Sequence, residues 1–274
     1  MKANRRQLRD ALDPFDIPEE RFRELYRLPR SLAMDLMQEL SNVMTENVTP
    51  DIPLSIQLCS TLNFFASGSY QRRVGQDAFA CLSQSCVSRC IKSISKTIAL
   101  KMSDKYIVFP TTPEEIESLV EGFQKLADFP GVFALVGGTR IALAALNKKI
   151  EFSYVCRKGF HSINTQVIVD SNMRFLNVNA RYPGSAHDSS IWRNSLASSL
   201  LGNMYNQMGS KWKYFLLADT GYPLEPWLLK PYASPRTSAE KEFNVRLRSL
   251  RSLIERAIGL LKARFRCLLK EREL

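Results

Sequence analysis

Six cysteines and two histidines are the first residues to weigh for chemistry, since thiolates and imidazoles hold zinc. Cys59, Cys81, Cys86, Cys90, Cys156 and Cys267 contain no CxxC pair. Cys86 and Cys90 lie one helical turn apart, and the imidazoles are His161 and His187. The paired spacing of a structural zinc site is therefore missing, and reduced intracellular thiols are the simpler expectation. A second group is cationic. Arg157, Lys158 and His161, flanked by Tyr154 and Phe160, precede a strand-like stretch, where they could meet phosphates or protect a hairpin edge by charge. A third group is acidic. Asp188 closes Gly184-Ser185-Ala186-His187-Asp188, Asp219 precedes Thr220-Gly221-Tyr222-Pro223, and Glu255 stands one helical turn after Arg251. Taken singly, a helix cap, a turn and an ion pair of ~0.3–0.5 kcal/mol would account for them.

The elements that must position these groups follow from composition and pattern. The chain has 274 residues, 45% of them hydrophobic, which suffices for one large or two modest domains with a real core. Its apolar runs, such as Val132 to Val136, fall far short of the ~20 residues that span a bilayer. The opening MKANRRQLRD lacks the apolar stretch of a signal peptide. A net charge of +11 suits a polyanionic partner, and residues 245–274 hold nine basic and three acidic side chains. A solvated helix face is the plainer reading of that segment.

Residues 1–110 read as helical. Pro18 with Glu19 and Glu20 suits a first turn, and Leu32, Leu36 and Leu40 mark a helix from about Pro29 to Met44. Within 54–101 the pattern predicts a helix over Leu54 to Phe65 and a short one around Arg73 to Phe79. Ser83 then caps a helix with Val87, Ile91, Ile94 and Ile98 inward. Its other face carries Gln84, Ser85, Ser88, Arg89, Lys92 and Lys96. Three such helices outline a helix-turn-helix that touches DNA, or an ordinary bundle with a wet face. From Phe129 the texture turns to strands: Val132–Val136 and Ile141–Leu146 around Gly137-Gly138, then 162–169, then the alternation of Leu176, Val178 and Ala180. These form an antiparallel meander. A helix begins near His187, Tyr214 to Ala218 suits a buried parallel strand, and a helix from about Val245 to Phe265 closes the chain. The order matches an α+β, RNase H-like domain.

FPGVFALVGGTRI (129–141), YVCRKGFHSINTQVIVD (154–170), RYPGSAHDSSIW (181–192), LLADTGYPLEPWLLKPY (216–232) and RSLIERAIGLLKARFRCL (251–268) occur together in one order. In that joint pattern the chain resembles the Harbinger transposases and the nuclease-like proteins domesticated from them. The resemblance implies a helix-turn-helix-like region followed by a DDE-type nuclease domain over 129–274. It implies two aspartates and a glutamate holding divalent metal, magnesium or manganese, because phosphodiester cleavage uses two metal ions ~4 Å apart on carboxylate oxygens. Carried over by position, Asp219 and Glu255 fall on the second aspartate and the glutamate, and Asp188 on a further metal-associated acid. Gly137 stands where the first aspartate belongs, and Arg140 replaces a histidine, so the resemblance also implies weakened or lost catalysis. Asp128, Glu151 and Asp170 are the open candidates to fill that gap. Family members continue further after RFRCL, which reads this chain as C-terminally shortened. DNA, a Myb-like companion protein and residence in the nucleus, alone or with the cytoplasm, complete what the resemblance implies; no compact Lys/Arg run marks an import signal.

Overall fold

The computed structural model describes residues 6–7, 9, 11–44, 51–127, 129–143 and 148–269. They divide into two compact units, one of the described residues up to 106 with 261–269, the other of those from 107 to 260. In the first unit Pro18 and Pro29 stand immediately ahead of α1 (Glu19–Tyr26) and α2 (Arg30–Val43), as a rigid φ and a dispensable N–H favour there. α3 (Leu54–Ser67) ends on Gly68 in the left-handed conformation. Next come α4 (Gln71–Gly75), α5 (Gln84–Thr97) and the short α6 (Ser103–Tyr106). The Ser83 side chain accepts from the Cys86 N–H and caps α5 as its sequence predicts. α4 is shorter than expected and starts two residues earlier, and residues 76–80 form turns beyond it. Ile56, Val74, Ala80, Leu82, Val87 and Cys90 make the small core that joins α3, α4 and α5.

The second unit is a mixed α+β layer structure around a five-stranded sheet in the order β3-β2-β1-β4-β5. β1 (Val132–Ala142), β2 (Ser162–Val169) and β3 (Phe175–Pro183) form the antiparallel meander. β4 (Phe215–Leu217) and β5 (Leu228–Leu229) add on parallel to β1 and to each other. β1 runs as a single strand through Gly137-Gly138, so the meander has the three strands that its pattern suggests. The ladder to β2 holds the glycines in register, and residues 144–147 of the expected second run lie outside the described residues.

Helices cover both faces, so β1 and β4 are buried on both sides and read as nearly continuous apolar runs. On one face α7 (Pro113–Gln124), α9 (Asp188–Arg193) and α10 (Leu196–Met208) pack on Ala134, Val136, Ile168, Leu216 and Ala218. On the other, α11 (Ser238–Arg264) lays Leu247, Leu250, Ile254 and Ala257 on Leu135, Val167, Val169 and Leu217. α11 starts seven residues before the pattern suggested. Thr237 Oγ1 accepts from the Glu240 N–H, while Glu240 accepts from the N–H groups of Arg236 and Thr237, a capping box that overrides the polar sequence before Val245. α7 opens on the same device, Thr112 with Glu115. The remaining helix, α8 (Lys148–Tyr154), sits between β1 and β2.

Candidate functional site

The last β1–β4 pair is Leu135 with Leu217. Two residues further along each strand stand Gly137 and Asp219, so the parallel register carries both toward the same end of the sheet. Alternation then sends the two glycines of β1 to opposite faces. A Cβ on Gly137 would meet the Ile254 Cδ1 on α11 at 3.1 Å. A Cβ on Gly138 would meet Asp188 Oδ1 at 3.0 Å and Asn164 Oδ1 at 3.4 Å on the α9 face. The two aspartates approach each other at Gly221, where one Cβ-sized space lies 3.0 Å from Asp219 Oδ1 and 3.5 Å from Asp188 Oδ2.

Each acid is held by a specific partner. Asp188 begins α9 and its Oδ1 accepts from Asn164 Nδ2 at 2.7 Å, a bond that ties the helix to β2. Asp219 Oδ1 accepts from the Gly221 N–H at 2.8 Å, which is the turn its sequence suggests. Cations face both: Arg140 Nη1 lies 3.7 Å from Asp188 Oδ1, and Arg251 Nη1 lies 3.6 Å from Asp219 Oδ2. Arg251 therefore turns inward to Asp219. Glu255, one turn on, is exposed and has no ion pair among the described residues. Tyr222 is 1% exposed, and its buried hydroxyl has no hydrogen-bond partner among the described residues. Burial first, then the nearby Asp188 and Asp219 charges, hold that phenol well above its ordinary pKa.

The divalent pair that cleaves phosphodiesters needs three or more carboxylate-bearing positions gathered on one spot. Asp188 and Asp219 supply hard oxygens there, but Gly137 supplies none. Among the described residues no group of three or more His, Cys, Asp and Glu side chains stands together to hold an ion. Glu151 is engaged with His161 at 3.0 Å, and Asp170 accepts the N–H groups of Asn172 and Arg174 in its own turn. Asp128 lies outside the described residues. The described residues alone do not fit a two-ion centre.

The cationic and polar candidates are on the surface. Gln84, Ser85, Ser88, Arg89, Lys92 and Lys96 are all exposed along α5, and Val87, Cys90 and Ile94 are buried behind them. Arg157 and Lys158 are exposed in the turn between α8 and β2, where an Arg157 amino group meets His187 Nδ1 at 2.8 Å. Asn164, Tyr222 and Arg251 are the site residues that sequence reasoning missed. Asn164 read as a strand position, Tyr222 as part of a turn and Arg251 as a partner for Glu255. The one available signal was a polar side chain in a strand buried on both faces.

In this sheet order Asp219 stands just past the end of β4 beside the glycines of β1, and Asp188 comes near it from the head of α9. The chain belongs to the DDE superfamily endonucleases, whose family pattern it matches over residues 136–274. It is 32% identical to the rat protein "Putative nuclease HARBI1" over 255 residues, 92% of this chain and 70% of that one. The human counterpart is 31% identical over the same share. An ALP1-like protein of Arabidopsis thaliana is 28% identical over 243 residues, 85% of this chain and 58% of the plant protein. Harbinger kinship is thus the relation of this chain to known proteins. No solved structure matches it.

Proposed function

We propose that this protein is a DNA-binding, transposase-derived member of its family whose RNase H-like strand-cleaving centre is disarmed. The observation that carries the reading is Gly137. It occupies the register position beside Asp219 and has no side chain with which to ligate metal. Asp188, Asp219 and Glu255 are then the remainder of a DDE set, the first two facing guanidinium groups. The exposed face of α5, presented by the helix-turn-helix-like α3–α5, and the turn at Arg157 and Lys158 supply the contacts to DNA. Nuclear residence and a Myb-like companion belong to the same proposal, from kinship to Harbinger proteins.

Plasmid nicking with Mg²⁺ or Mn²⁺, run beside calorimetric metal binding, tests it. The wild type should bind DNA and cut nothing. A Cβ at Gly137 crowds Ile254, so the repair variant combines Gly137→Asp with Ile254→Val. It should gain metal affinity and nicking, and Asp219→Ala should abolish both in that background. Metal-dependent nicking by the wild type, lost in Asp219→Ala, would overturn the disarmed reading and make the protein an active nuclease.

A further inference from the structure

Phe152 is 91% exposed, more than any other large hydrophobic side chain among the described residues. It belongs to α8, and the segment around it is well anchored. The Ser153 carbonyl accepts from both the N–H and the hydroxyl of Ser185, the latter at 2.6 Å. Glu151 pairs with His161 at 3.0 Å, and Val155 bridges to His161. These bonds tie the backbone next to Phe152 to the segment that leads into Asp188, since Ser185 lies three residues before it. Two cations follow nearby: Arg157 and Lys158 are exposed five and six residues on, and Arg157 meets His187, two residues beyond the Ser185 that is bonded to Ser153. Folding buries little of this side chain, so its apolar area contributes little to the fold itself.

Its surroundings select the ligand. Exposed aromatic rings beside basic side chains are the recurring means of holding single-stranded nucleic acid, the ring taking a base face and the cations the adjoining phosphates. A base within a duplex is already stacked on both sides and cannot use the ring. We infer that Phe152 is a stacking platform for an unpaired base of bound DNA, with Arg157 and Lys158 on the flanking phosphates. This rests on the reading of the protein as DNA-binding, and it names the form of DNA engaged at this edge of the sheet.

The test compares a blunt duplex with the same duplex carrying an unpaired 2-aminopurine overhang, by fluorescence titration across a range of salt. The wild type should prefer the overhang by about tenfold, which is ~1.4 kcal/mol. Phe152→Ala should erase that preference and leave blunt-duplex affinity within about twofold, whereas Phe152→Trp should keep it. Arg157→Ala with Lys158→Ala should weaken both probes alike and flatten the salt dependence. An overhang preference that survives in Phe152→Ala, or is absent from wild type that binds the blunt duplex, overturns the inference alone. A Phe152→Ala variant whose light scattering shows a changed oligomeric state assigns the ring to a second copy, which also overturns it. Wild type that binds neither probe at low salt overturns the DNA-binding reading as well.

Discussion

A guanidinium is a permanent monovalent cation that pairs with carboxylate and does not leave it as a proton does. Arg140 and Arg251 each bring one such charge to within 3.7 Å of the two acids that meet at Gly221. The field that would attract a divalent ion is therefore partly cancelled from within the chain. Arg140→Ala should raise Mn²⁺ affinity by about fivefold, ~1 kcal/mol for a partly exposed pair, read by calorimetry. Unchanged affinity would mean the guanidinium is a bystander. That Asp219 starts a turn and that a helix begins beside Asp188 was legible in the sequence, from Thr220-Gly221-Tyr222-Pro223 after the one and the Pro183-Gly184 break before the other. The pairing of Arg251 was not. A residue four positions before a glutamate on a helix reads as its partner, and only the packing of α11 on the sheet turns that side chain to Asp219.

Among the elements, α11 shows what local pattern can and cannot say. Leu247, Leu250, Ile254, Leu261 and Phe265 stand at helical spacing in the sequence, and the first three are buried against the sheet, whereas its start at Ser238 depends on the hydrogen bonds of Thr237 and Glu240. The meander was legible through alternation. α8 was not, since a seven-residue helix with an exposed Phe carries no apolar period, and α7 and α10 announce themselves through caps more than through stripes. Gly259 makes a sharper case. It sits inside α11, exposed, with nothing within 4 Å of where a Cβ would be, so it serves no close packing among the described residues. An interior helical glycine costs about 0.5–1 kcal/mol relative to alanine. Gly259→Ala should therefore stabilise the protein by about that amount, seen as a higher midpoint in urea. A lower midpoint would mean that the helix needs glycine's backbone freedom here after all.

At the scale of the whole molecule, charge sets the expectation. Each phosphate that the protein neutralises releases counterions, so the logarithm of the DNA association constant falls linearly with the logarithm of salt, by about 0.9 per contact. A net charge of +11 is ample for several contacts. The candidate contacts occupy separate places, α5 with Arg89, Lys92 and Lys96, and the turn with Arg157 and Lys158. Contacts at separate places add to the slope, so alanine at Arg89, Lys92 and Lys96 together should reduce it by up to about 3. Changing Arg157 and Lys158 should reduce it by up to about 2, and the two sets should combine additively. A disarmed centre adds one more condition, that binding persists unchanged when divalent ions are chelated. A slope that neither set alters would move the DNA surface elsewhere, with the arginines of α11 the next to test. Binding that collapses on chelation would instead show an ion to be part of the interface, and would return Asp188 and Asp219 to the role that Gly137 denies them here.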